Sequence, residues 1–285
     1  MPSKKKLYAA FVFIPLFFIA CKKNDNSNTI KELSSKNISY GNDAAQKFDM
    51  YLPAGRSAEK TKVMVLVHGG GWTSGDKTDF DAFVDTLKKR NPGYAIFNIN
   101  YRLASNNSNL FPAQETDVKA AIEFILSKRQ EYLISDQFVL IGASAGGHLA
   151  LLHAYKYSSP VKAKAVVSFF GPVDLTHMYN NPANPLVPLL LQTVTGATPS
   201  VNANIYQQSS PINFVSAQSS PTLLLQGGKD ELVSPSQSIL LKSKLQSFNV
   251  PHEYVFYPDE GHGWTGANLT DSFNKIELFL KTYVP

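Results

Sequence analysis

The sequence predicts an α/β domain, a mostly parallel sheet with helices on both faces. Two observations carry this. From about residue 36 onward, short strand-like runs alternate with longer segments of helical period, and repeated strand–helix units build such a sheet. Several strand-like runs are also apolar throughout, most clearly Val63–Val67 (VMVLV). A run of that kind suits a strand buried on both faces, whereas a half-exposed strand would alternate. The 285 residues suit one large domain with an ample core. An apolar fraction of 44% and a charged fraction of 17% exclude disordered, collagen-like and multi-span membrane classes.

The elements follow in order. Lys47–Leu52 reads as an early strand of alternating character, and Val63–Val67 follows it. Phe80–Lys89 is expected as a helix and Tyr94–Ile99 as a strand. Pro112 opens a helix at a favourable first-turn position, with Val118, Ala121, Ile122 and Ile125 at helical spacing. Phe138–Ile141 is a short buried strand and Gly146–Tyr157 a helix. Ala165–Phe170, Thr222–Gln226 and Tyr254–Tyr257 supply further strands, with helices at Ser236–Ser247 and Asp271–Tyr283. Residues 174–220 break the rhythm. They are rich in Asn, Pro, Ser and Gln, with one short helix candidate at Leu186–Val194. This stretch is expected to form a cap-like excursion over the carboxyl edge of the sheet, where open α/β folds bind ligands.

The N-terminus reads as a targeting segment. Lys4, Lys5 and Lys6 precede an apolar run from Leu7 to Ala20, too short to cross a bilayer as a helix. Residues 1–20 are therefore expected to be a signal peptide. Phe18-Ile19-Ala20-Cys21 resembles the bacterial lipobox, with Cys21 as the lipidated first mature residue. Cys21 is also the single cysteine, so its use as an attachment point fits a chain with no disulfide to make. Residues 21–35 read as a flexible tether, leaving 36–285 as the catalytic domain. The expected location is the bacterial cell envelope, held to a membrane by the lipid. Loss of the three leader lysines takes the formal charge from +5 to +2. With no basic stripe carrying interleaved aromatics, nucleic-acid binding is not expected.

Gly142-Ala143-Ser144-Ala145-Gly146 fits G-x-S-x-G between a buried strand and a helix. That is the setting of a nucleophile elbow, a sharp turn that needs small neighbours and exposes the serine. His68-Gly69-Gly70-Gly71-Trp72 follows the VMVLV strand, and consecutive glycines let backbone N–H groups face a ligand oxygen. Gly70, Gly71 and Ala145 are the expected oxyanion donors, with His68 holding the loop. The run from Gly70 to Thr78 is not a P-loop, because Asp76 stands where the lysine belongs. A serine nucleophile needs an imidazole base oriented by a carboxylate. His262, on a glycine-flanked turn after a strand, is preferred to His252, which begins that strand. Asp230, at the carboxyl end of Thr222–Gln226, is preferred to Glu231 and Asp174, and Asp259 lies too near His262 in sequence. His148 and His153 read as packing or polar-face residues of the helix after Ser144. No metal-ligand cluster and no need for a cofactor are visible.

Taken together, HGGGW (68–72), GDK (75–77), NYRL (100–103), FPAQETDVKAAIEFI (111–125), GASAGG (142–147), FGPVDL (170–175), LLLQGGKDELV (223–233) and EGHGW (260–264) mark a resemblance. The chain resembles the α/β-hydrolase esterases of the hormone-sensitive-lipase-like and feruloyl/acetyl-xylan-esterase-like groups, from about residue 45 to the C-terminus. The resemblance implies an eight-stranded, mostly parallel sheet, and carries over Ser144, Asp230 and His262 as triad and Gly70, Gly71 and Ala145 as oxyanion hole. Gln226 stands where relatives commonly have His, a position usually structural. The implied activity is hydrolysis of short-chain acyl or feruloyl esters, on a small molecule or a polysaccharide. The rival readings are an amidase, formamidase or peptidase of the same fold, and a surface-binding lipoprotein without catalysis.

Overall fold

The computed structural model describes residues 1–3, 30–105 and 107–285. The chain runs through β1 (Leu33–Ser39), β2 (Lys47–Leu52), β3 (Lys62–Val67), α1 (Asp81–Arg90), β4 (Tyr94–Ile99), α2 (Ala113–Ser127), the one-turn α3 (Arg129–Tyr132), β5 (Phe138–Ala143) and α4 (Ala145–Lys156). It continues with β6 (Ala165–Phe169), α5 (Leu175–Asn180), α6 (Val187–Thr195), α7 (Ala203–Gln208), β7 (Thr222–Gly227), α8 (Ser236–Ser247), β8 (His252–Tyr257) and α9 (Gly266–Tyr283). All eight strands lie in one sheet ordered β1-β2-β4-β3-β5-β6-β7-β8. β2 pairs antiparallel with β1 and with β4, and the pairs from β4 through β3 to β8 are parallel. The sheet is mostly parallel, as the strand–helix alternation predicts, and eight-stranded, as the resemblance implies.

The continuous apolar runs feed two cores. In β3, Val63, Val65 and Val67 face the core built with α2, α4 and α8, while Met64 and Leu66 face the core built with α1 and α9. Period-two alternation with apolar residues at both phases is the pattern of a strand covered twice.

The sheet begins earlier than expected. Residues 33–35, placed in the tether by the sequence reading, start β1, where Leu33 lies opposite Leu52 and Ser35 opposite Met50. The seven residues LSSKNIS are mostly exposed, so no hydrophobic period marks them, and backbone pairing to β2 makes them a strand. The expected signal peptide, Cys21 and the earlier tether fall almost wholly within residues 4–29, outside the described residues. Among the described residues, no helix is long and apolar enough to cross a membrane.

The excursion 174–220 is more helical than its composition suggests. α5, α6, α7 and a 3-10 turn at Pro211–Phe214 succeed one another there. Asp174 caps α5 by accepting from the His177 N–H at 2.9 Å, and Asn202 caps α7 through the Ile205 N–H at 3.2 Å. Side chains that read as loop formers in a count of composition are here helix caps.

Candidate active site

β5 ends at Ala143 and α4 starts at Ala145, so Ser144 alone makes the turn, with φ 54 and ψ −123. A non-glycine residue in that region is strained, and the surrounding backbone holds it. The Ser144 N–H donates to the Phe169 carbonyl at 2.8 Å, and its own carbonyl accepts from the His148 N–H at 3.0 Å. The glycine two residues on is forced by proximity. A Cβ on Gly146 would lie 2.0 Å from the Val67 carbonyl oxygen, so only glycine lets α4 start this close to β3.

The structure brings the three predicted side chains together. Ser144 Oγ lies 2.9 Å from His262 Nε2, and His262 Nδ1 lies 2.9 Å from Asp230 Oδ2. A carboxylate only accepts, so Nδ1 carries the hydrogen and Nε2 is free to accept from the serine hydroxyl. The Asp230 side chain has no solvent exposure. Its Oδ1 accepts from the N–H groups of Leu232 (2.9 Å) and Val233 (2.8 Å), which fixes the carboxylate plane. Its Oδ2 accepts a further bond, at 3.2 Å, from the amide of Gln226. Gln226 is itself buried and accepts from the Ser238 hydroxyl at 2.8 Å. The departure noted in the sequence thus touches the acid directly.

Most of the rejected candidates are engaged elsewhere. Asp174 caps α5, Asp259 pairs with Lys229 at 2.8 Å, and His252 Nδ1 lies 2.8 Å from the Val250 carbonyl, whereas Glu231 is exposed and held only by its backbone carbonyl, which accepts from Asn184. His148 and His153 are both buried on α4, not on a polar face, and His148 contacts the loop after β3.

In that loop Gly70 has φ +97, a conformation open to glycine and strained for other residues. A Cβ placed on Gly69 would come within 3.4 Å of Ser144 Cβ, so the loop passes directly beside the hydroxyl-bearing residue. Gly70 and Gly71 border the same cavity as Ser144. The Ala145 N–H belongs to the first turn of α4, where N–H groups have no partner within the helix. Behind the loop, the Tyr101 hydroxyl donates to the carbonyls of His68 (3.0 Å) and Gly69 (3.1 Å), and its ring stacks on His68 with centroids 4.4 Å apart. Tyr101 belongs to the NYRL motif, and its role in bracing the loop was not evident from that motif alone.

Two cavities meet at His262. The first, about 580 Å³, holds Ser144 and the glycine loop at one end and Phe80, Phe83, Phe169, Phe170 and Trp264 beyond them. The second, about 750 Å³, lies between the start of α6 and the loop after β7, with Leu186 and Val187 on one side and Lys229 and Glu231 on the other. Leu190, Leu232 and His262 border both. Among the described residues, no group of three or more His, Cys, Asp or Glu could hold a metal ion.

Sheet order, a strained serine between strand and helix, and acid and imidazole delivered later by β7 and β8 together define an α/β-hydrolase. The chain belongs to the BD-FAE family, whose profile matches residues 48–245. It is 24% identical over 261 residues to esterase LipC of Mycobacterium tuberculosis, covering 86% of this chain and 64% of that one. It is 30% identical over 233 residues to the probable carboxylic ester hydrolase LipM of the same organism, covering 76% and 53%. The chain thus spans between about half and two thirds of the length of these relatives. A truncated carbohydrate esterase from gut microbiota shares the fold, with a TM-score of 0.77 at 24% identity over 91% of this chain and 99% of that one.

Proposed function

We propose that the chain is a serine carboxylesterase acting on short-chain or feruloyl esters, with a carbohydrate alcohol as one natural leaving group. The observation that carries this is the unbroken chain Ser144–His262–Asp230, at 2.9 Å and 2.9 Å, opening into an aromatic-walled cavity. Ser144 attacks the ester carbonyl while His262 Nε2 takes its proton and Asp230 holds the imidazole tautomer. The N–H groups of Gly70, Gly71 and Ala145 receive the developing oxyanion. His262 then protonates the departing alcohol, and water repeats the sequence on the acyl-enzyme. The attacked carbon sits at Ser144, where the acyl group and the alcohol diverge, and this reading assigns the acyl group to the cavity that contains Ser144. Its aromatic walls suit a feruloyl ring or a short apolar chain. The alcohol oxygen must reach His262, and the second cavity continues from there, mainly apolar in lining but with Asn184, Lys229 and Glu231 among its residues. A strained serine with a preoriented base is a costly arrangement for a protein that only binds a surface, which weighs against that rival.

A panel of acetyl, butyryl, longer-chain and feruloyl esters, acetylated xylan included, with matched amides, tests the reading. Ser144→Ala is expected to lower kcat by at least about 10⁴-fold on any ester that is turned over. Retained activity in that variant, or amides cleaved in preference to esters, would sink it. The N-terminal reading adds a location: export to the cell envelope and anchoring through an acylated Cys21. Cells fed a clickable fatty acid should label the protein, and label that persists in Cys21→Ala rejects the anchor.

A further inference from the structure

We propose that His148, outside the Ser144–His262–Asp230 chain, is a positioning residue that sets the oxyanion-binding loop. The proposal rests on the esterase reading, because it concerns the donors of that same site.

The loop carries a second strained residue. Trp72 directly follows Gly71 and has φ 60, a left-handed conformation that a bulky side chain adopts only when its surroundings impose it. Its backbone carbonyl accepts from the Ala104 N–H at 2.9 Å. Its buried indole N–H donates to His148 Nδ1 at 3.2 Å, and its ring packs edge-on against His148 (5.1 Å) and Phe111 (5.8 Å). His148 lies in the first turn of α4, fully buried. With Nδ1 accepting, the ring hydrogen is on Nε2, which donates to the Ser209 carbonyl at 2.6 Å.

Both ring nitrogens are therefore used, in one tautomer. A proton added at Nδ1 would set N–H against N–H at a fully buried position, where the mismatch is costly. The groups facing the ring, Trp72, Phe111 and the Ser209 carbonyl, are uncharged, and Lys156, paired with Glu115, is the nearby cation. Burial, with a smaller contribution from Lys156, lowers the His148 pKa to about 4. One imidazole thus joins the helix behind Ser144, the glycine loop and the excursion 174–220. Displacing catalytic donors by a fraction of an ångström is costly in rate, so the strained Trp72 is where such a tie matters.

Three variants separate positioning from simple packing. His148→Asn keeps an acceptor near the place of Nδ1 for Trp72. His148→Gln keeps a donor near Nε2 for Ser209 and leaves Trp72 without an acceptor. Trp72→Phe removes the indole donor. The readouts are the rate of Ser144 phosphonylation by a fluorophosphonate, which needs nucleophile and oxyanion donors but no identified ester, together with kcat, KM and Tm. His148→Gln and Trp72→Phe are expected to lose a common factor of about 10- to 100-fold in phosphonylation and kcat, less than the 10²–10³ for deleting a donor outright. KM should stay within about twofold. His148→Asn should retain most of the rate, and the Gln/Phe double variant should lose no more than either single change. A wild-type rate in His148→Gln, equal losses in Asn and Gln variants, or losses that merely follow Tm overturn the proposal. Should the variants not fold, ¹⁵N spectra of the native protein decide: His148 is expected neutral with hydrogen on Nε2 from pH 8 to 5, and any other state overturns it. Normal phosphonylation with no ester turned over would remove the ester reading alone. A wild-type chain that is not phosphonylated removes both.

Discussion

At the scale of single residues, the histidines of α4 carry a consequence for stability. His148 and His153 are both held down to about 4 by burial, with Lys156 and Lys119 respectively adding to the effect, against an ordinary value near 6.5. Among the described residues, His153 Nδ1 has no hydrogen-bond partner. Below pH 6.5 the unfolded chain takes up protons at these positions that the folded chain refuses. Their contribution is therefore complete above 6.5 and is lost as pH falls from 6.5 toward 4, with a limiting slope of about 1.4 kcal/mol per pH unit for each proton. Urea denaturation at half-unit steps through that window should show this fall, and His153→Leu should remove up to one proton of the slope. An identical slope in that variant would show that His153 charges freely in the fold. The triad letters were legible because chain order and loop position distinguish His262 from His252 and Asp230 from Asp174. Gln226 and His148 were not legible in their roles. One acts on a carboxylate across a tight turn and the other on a tryptophan 76 residues away, and neither contact leaves a mark in local spacing.

At the scale of elements, the turn from β5 into α4 is where sequence and packing agree most tightly. Cβ atoms on Gly142 and Gly146 would lie 2.2 Å from the Gly146 oxygen and 2.0 Å from the Val67 oxygen, both backbone atoms with no freedom to retreat. Gly146→Ala is expected to yield little soluble protein, or a Tm lowered by more than the ~1–3 kcal/mol typical of overpacking allows. Gly93→Ala is the control, because a methyl there meets nothing within 4 Å. Its Tm should be unchanged or slightly raised through the stiffer unfolded chain. If both variants melt like the native protein, the elbow has slack that these distances exclude. Elements with a strong apolar signature, such as β3, were legible to within a residue or two. β1 was missed because polar residues pair through their backbone, and α5 and α7 because six residues are too few to display a helical period.

At the scale of the whole molecule, the sheet divides labour along its carboxyl edge. β3 presents the glycine loop, β5 the serine, the turn after β7 the carboxylate and the turn after β8 the imidazole, while the excursion between β6 and β7 supplies one wall of the second cavity and Leu190 to the first. Sequence alone placed that excursion over the edge, but the second cavity arises only where α6 meets the loop after β7, a contact between segments some forty residues apart. The junction at His262, Leu190 and Leu232 has a kinetic meaning. If Ser144 is acylated as proposed and the acyl group takes the first chamber, that chamber stays occupied while the neighbouring one empties and refills. Whatever refills it, water or a second alcohol, would meet the same imidazole, which borders both chambers. On the proposed esterase reading, the partition between hydrolysis and transfer of the acyl group to another alcohol would then depend on that second chamber, which Leu186 and Val187 border without taking part in bond making.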